Sequence, residues 1–206
     1  MDINNAIGTM EQDTIAAIST SMGEAGIGIV RISGKDAFSI AEAVFVPAVG
    51  KEYEKKYNKK LRYGWIKDGN ETIDEVLVSF MEKPHTYTAE DVIEINAHGG
   101  AVSVKRILDL ILSKGARLAE KGEFTKRAFL NGRMDLTQAE AVIDVIDAKT
   151  TTAHEQAVKQ LGGSISNEIG ELKIKMLEIL SHIEYSINFM EDAEEDLPIE
   201  PVVEKI

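Results

Sequence analysis

Apolar and polar residues alternate through much of the first half of the chain and give way to a helical period in the last third. Residues 13–20 (DTIAAIST) and 26–33 (GIGIVRIS) are short β-branched runs parted by Gly23 and Gly26, which predicts two strands joined by a turn. Beyond Gly34, Phe38, Ala41 and Phe45 fall at helical spacing, so a helix is expected there, with Pro47 limiting its extension. LRYGWIK and TIDEVLVSFM flank Asp68-Gly69-Asn70, the composition of a tight hairpin turn. Residues 91–97 (DVIEINA) alternate again, and His98-Gly99-Gly100 breaks the run. A helix with Val104, Ile107, Leu108 and Ile111 on one face follows, closed by Gly115.

From Asp135 the period is helical throughout. Asp135 can cap a helix, Gln138 can complete the capping box, and Ala139, Val142, Ile143 and Ile146 form its apolar stripe. A second stripe, from Val158 through Leu161, Ile165, Ile169, Leu172, Met176, Leu180 and Ile183 to Ile187, predicts one long helix that Gly162-Gly163 can kink. The expected organisation is a tail at 1–12, a mixed α+β domain at 13–134, and the first part of a helical domain at 135–206 with an acidic end. An amphipathic helix of this length needs a cover for its apolar face. Self-association and further polypeptide would both supply one, and the stripe alone does not choose between them.

Composition narrows the chemistry. The 206 residues carry a net charge of -12, which argues against a broad nucleic-acid face, because neutralising many phosphates takes clustered cations. The absence of cysteine excludes disulfides, thiolate metal sites and cysteine nucleophiles. With no apolar run long enough to span a bilayer and no export signal, a cytoplasmic location is expected and no membrane partner. Lys51, Lys55, Lys56, Lys59, Lys60 and Arg62, interleaved with Tyr53, Tyr57 and Tyr63, read either as a stacking surface for single-stranded RNA or as a solvated lysine-rich loop.

Four places carry candidate chemistry. The His98-Gly99-Gly100 turn hands a strand to a helix, and is either an anion cradle or an ordinary tight turn. Ile27, Ile29 and Arg31 share one strand face, so Arg31 ends an apolar row. Glu94 shares its face with Val92 and Asn96, opposite Ile93 and Ile95; both charged residues line a pocket or face solvent. Glu123, Lys126, Arg127, Asn131 and Arg133 lie between a glycine turn and the capped helix, with Arg133 available for a ligand or for an ion pair to Asp135 or Glu140. No segment matches the phosphate-binding loop G-x-x-x-x-G-K-[ST]. His85, His98, His154 and His182 lack metal spacing, and no complete catalytic constellation is present, so no catalytic or metal residues are expected.

Three stretches together, DTIAAISTSMGEAGIGIVRISG at 13–34, HTYTAEDVIEINAHGG at 85–100 and GEFTKRAFLNGRMDLTQAEAVIDVIDA at 122–148, resemble the bacterial MnmE (TrmE) family of tRNA-modification GTPases in order and spacing. The resemblance runs from Asp13 to about Phe189. Ala89 stands where the family has Gly, and Asn188 and Met190 stand where it has Asp and Pro. It implies an N-terminal, homodimerising domain like the folate domain of aminomethyltransferases, followed by an incomplete helical bundle into which the family inserts its GTPase domain. It also implies a bound tetrahydrofolate derivative, 5-formyl- or 5,10-methylene-tetrahydrofolate, with contacts carried over to Arg31, Glu94 and Arg133. GTP, magnesium and potassium would belong to a G domain that this chain lacks. The implied work is modification of the wobble uridine of certain tRNAs with an FAD-dependent MnmG subunit. Two rival expectations are a free-standing folate-dependent aminomethyltransferase and a non-enzymatic interaction module in which the long helix binds a partner.

Overall fold

The computed structural model describes residues 13–21, 23–50, 54 and 57–188. The expected tail at 1–12, the acidic stretch 191–196, and Lys51, Tyr53, Lys55 and Lys56 lie outside the described residues. The chain divides into two compact units, Met1–Met134 and Asp135–Ile206.

The first unit runs β1 (Ile15–Ile18), β2 (Gly28–Ser33), α1 (Ala37–Glu42), β3 (Phe45–Pro47), β4 (Leu61–Asp68), β5 (Glu71–Met81), β6 (Val92–Ala97), α2 (Ala101–Ser113), β7 (Arg117–Leu118) and α3 (Glu123–Leu130). The strands make one seven-stranded sheet in the order β3-β4-β5-β6-β2-β1-β7. Every pairing is antiparallel except β1 with β7, which gives the mixed sheet of an α+β domain. Alternation decides what each face does. Val30 and Ile32 of β2, Val78 and Phe80 of β5, and Ile93 and Ile95 of β6 are buried with Ala37, Ile40 and Ala41 of α1 and Val104, Ile107 and Ile111 of α2. Arg31, Glu94 and Asn96, on the opposite face, are only half-buried.

Two expectations fail within this unit. The helix after Gly34 stops at Glu42, and Phe45 instead opens β3, where it pairs with Ile66 of β4. Val44, Phe45 and Val46 favour extended backbone, and Pro47 is tolerated because β3 is a sheet edge. Phe45 is still buried, its ring 6.3 Å from that of Phe80, so its helical spacing was a coincidence of two elements sharing one core. Arg62 does not belong to a solvated basic loop. It is 6% exposed on the core side of β4, with its guanidinium 4.5 Å from the centre of the Tyr57 ring and also over Phe45 and Phe80. The hairpin forms as expected, with Asp68 opposite Glu71 and Gly69-Asn70 as the two-residue turn.

The second unit contains α4 (Leu136–Asp147), α5 (Thr151–Leu161) and α6 (Ser164–Asn188). Asp135 caps α4 through a full capping box: its carboxylate accepts the Gln138 N–H while the Gln138 side-chain oxygen accepts the Asp135 N–H. The single long helix expected across residues 158–187 is two helices. Gly163 takes φ +86°, a left-handed turn that an L side chain resists, and the chain restarts at Ser164. Gln138 Nε2 donates to the Leu161 carbonyl at 2.9 Å and Gln160 Nε2 to the Thr137 carbonyl at 3.1 Å, tying the start of α4 to the end of α5. Large apolar side chains stay exposed along these helices, among them Ile146 at 71% and Met176 at 69%. No helix among the described residues is long and apolar enough to cross a membrane.

Candidate ligand-binding site

β2 and β6 are neighbours in register, so Arg31 sits directly opposite Glu94 on the face away from α1 and α2. Both Nε and Nη2 of Arg31 donate to the same Glu94 oxygen, Oε1, at 2.9 and 2.7 Å. Glu94 Oε2 has no partner among the described residues. The pair is about a quarter exposed on each side. An ion pair this open is worth about 0.2–1 kcal/mol, so a ligand with better-placed donors can draw Glu94 away at small cost.

The aromatic rings come from elsewhere in the chain. Tyr87, in the segment between β5 and β6, lies 5.2 Å from the Arg31 guanidinium and 4.8 Å from that of Arg133. Phe124 of α3 lies 5.6 Å from Arg31. One tyrosine ring thus gathers both arginines singled out in the sequence, and Glu94 joins them through Arg31. Among the described residues Arg133 makes no ion pair to Asp135: that carboxylate accepts from Ser166, Gln138 and Thr137, which keep its pKa below the ordinary value.

Tyr87 and Phe124 carry no periodic signal and were missed, as was the buried network that fixes them. The Tyr87 hydroxyl is 2.9 Å from Thr125 Oγ1, and Asn131 Nδ2 donates to the Thr88 carbonyl at 2.7 Å, so the 86–90 segment is clamped to α3 and its C-terminal turn. Below them Arg127, 3% exposed, binds the Asp13 carboxylate, Glu90 at 3.2 Å and Glu123 at 3.1 Å. Arg117 closes the network on Asp13 at 2.8 Å and Glu123 at 2.6 Å. Burial pushes the Glu123 carboxyl up, but hydrogen bonds from Arg117, the Glu120 N–H and Arg127 outweigh it and hold its pKa at about 2. Burial likewise disfavours the charged form of Arg127, and Asp13, Glu90 and Glu123 overcome it. Ser33, at the end of β2, joins through Glu90 at 2.6 Å and Thr88 at 2.7 Å.

The His98-Gly99-Gly100 turn lies at the far end of β6. A Cβ on Gly99 would come within 2.4 Å of the Ala25 carbonyl oxygen, so close backbone packing is what demands glycine there. The start of α2 is served by an internal carboxylate. Asp74 accepts the His98 N–H at 3.0 Å and the Ser103 hydroxyl at 2.5 Å, and pairs with His98 Nδ1 at 2.7 Å. That hydrogen bond and the Asp74 charge raise the His98 pKa above its ordinary value. This is the tight structural turn rather than the anion cradle. Among the described residues no three His, Cys, Asp or Glu side chains are grouped to hold a metal ion.

The family model described as "GTP-binding protein TrmE N-terminus" matches residues 14–133, and that of the "MnmE helical domain" matches residues 136–206. The chain is 59% identical over 194 residues to a protein of Clostridioides difficile (strain 630) named tRNA modification GTPase MnmE. It is 55% identical over 191 residues to the protein of that name from Finegoldia magna, and 52% identical over 199 residues to that from Lysinibacillus sphaericus. These alignments take in 94, 93 and 95% of this chain but only 42, 42 and 43% of the relatives. With a family model covering more than half of its length, this chain belongs to the MnmE (TrmE) family, carrying its N-terminal domain and sequence of its helical domain.

Proposed function

We propose that the first unit binds a reduced folate, such as 5-formyl- or 5,10-methylene-tetrahydrofolate, in the service of tRNA modification. The observation that carries this reading is the cluster of Arg31, Glu94, Tyr87 and Arg133: a carboxylate with one oxygen uncommitted, two guanidiniums and an aromatic ring on one half-open face. The donor set fits the ligand. A pterin offers an exocyclic amino group and a ring N–H side by side, which a carboxylate accepts as a pair. Its ring carbonyl and the glutamate carboxylates suit arginine forks, and its flat heterocycle suits tyrosine. The folate supplies the one-carbon unit when bound; the chain's residues hold and orient it.

In the wider reading, the whole protein hydrolyses GTP, with magnesium and potassium, in a G domain that has no counterpart in this chain. It pairs with a second copy through the first unit and works with an FAD-dependent MnmG subunit on the wobble uridine of certain tRNAs. The exposed stripe of α6 supports a helical domain whose apolar face is covered by a second copy or by further polypeptide.

Calorimetric titration of 5-formyltetrahydrofolate into the chain tests the site. Saturable binding to the wild type is expected, lost in Glu94→Ala and Arg133→Ala variants that keep the wild-type circular dichroism. A folded wild type that takes up no ligand at millimolar concentration refutes the folate reading and moves weight to the interaction-module alternative.

A further inference from the structure

Beside the Arg133–Tyr87 contact the first unit has a second cleft, of about 710 Å³, that the folate reading leaves unused. It is walled by Gly34 and Lys35 after β2, by Lys83-Pro84 and Ala89 before β6, and by Gly132 after α3. The two sites are built from adjacent residues of the same segments. Gly132 precedes Arg133, Ala89 follows Tyr87 by two residues, and the Asn131–Thr88 hydrogen bond fastens the two segments together.

The charge in the cleft is unevenly satisfied. Glu90 accepts from Arg127, which it shares with Asp13 and Glu123, and from the Ser33 hydroxyl, and Asp91 Oδ1 accepts the Lys83 backbone N–H at 2.9 Å. The ammonium groups of Lys35 and Lys83 have no partner among the described residues. A chain with net charge -12 repels added carboxylates, so two uncommitted cations in one cleft mark a place where an acidic chain is tolerated.

We propose that this cleft takes the poly-γ-glutamate tail of the folate, an inference that rests on the folate reading of the neighbouring site. With the pterin on Glu94 and the first glutamate at Arg133, the next carboxylates leave past Gly132 toward Lys35 and Lys83. The cleft is open and each lysine contact is solvated, so two such contacts strengthen binding by roughly tenfold at low salt and less at high salt.

The test compares the mono- and triglutamate forms of 5-formyltetrahydrofolate by calorimetry on the 206-residue chain and on a Lys35→Gln/Lys83→Gln variant. In the wild type the triglutamate binds roughly tenfold tighter at low salt, and the gain shrinks as salt rises. In the variant the monoglutamate affinity is unchanged and the gain is gone. A Lys35→Glu/Lys83→Glu variant goes further and binds the triglutamate more weakly than the monoglutamate. Equal affinity of the two forms for the wild type, or a gain that survives both variants, overturns the tail-binding cleft while leaving the folate site standing. Failure of both forms to bind the wild type overturns both readings together.

Discussion

The two units of this chain answer the same hydrophobic pattern in opposite ways. In the first, Ile32, Phe80, Ile93, Ile95, Ile107 and Ile111 are fully buried between the sheet and two helices. In the second, Leu172, Met176, Leu180 and Ile183 repeat at the steps of an equally regular stripe and remain about half exposed or more. Periodicity therefore states that a face has to be covered and is silent on what covers it. The closed unit meets that need from its own strands, and the open one presents it outward.

The sharpest way to separate the two is to break what closes the first. Arg127→Met leaves Asp13, Glu90 and Glu123 crowded without their shared cation and is expected to cost about 3–5 kcal/mol. The chain's one tryptophan, Trp65, lies in β4, so urea unfolding followed by its fluorescence reports the first unit. A loss below 1 kcal/mol would mean that packing, not the ion network, holds α3 in place. Ile95→Ala, at a site with no exposure, is expected to cost about 2–5 kcal/mol by the same readout.

Acid probes the same network more gently. Glu123 has a folded pKa of about 2, below its ordinary 4.5. Its stabilisation is therefore complete above pH 4.5 and is lost as the pH falls from there toward 2. The loss amounts to about 2–3 kcal/mol, and a Glu123→Gln variant should show a flatter decline over that window. The smallest effect is expected in the open unit, where Leu172→Ala should change helix stability by less than about 0.5 kcal/mol, read by far-ultraviolet circular dichroism. A cost matching that of Ile95→Ala would show the stripe of α6 to be covered in solution and would dissolve the contrast between the units.

What was legible in the sequence was local. The β4–β5 hairpin announced itself because two alternating runs flank a turn whose residues specify it. Alternation likewise set Arg31 and Glu94 apart from their buried neighbours, though which strand lies beside which is a long-range matter, and the register that makes them partners was not readable. Tyr87 and Phe124 sit outside any period and left no local mark, and Arg127, though singled out, finds Asp13 across 114 residues of chain, a partner that no local pattern shows. The two misread helices have one origin. Phe38, Ala41 and Phe45 keep helical spacing across the end of α1, and Leu161 to Ile165 keeps a step of four across the Gly162-Gly163 break. In both places an apolar stripe survives a change of direction, because side chains on either side still seek apolar contacts.

The strand order also sets a timetable. β2 lies between β1, its neighbour in sequence, and β6, which begins almost 60 residues later, and the edge beyond β1 is filled only by β7 at Arg117–Leu118. A chain emerging from the ribosome can fold the β4–β5 hairpin as soon as it appears, since that pairing is local. β2 must wait for β6, and β1 stays without its outer partner until β7 has been made. Arg31 therefore spends much of the synthesis of the first unit without Glu94 opposite it, and the site comes into being only when the middle of the sheet closes.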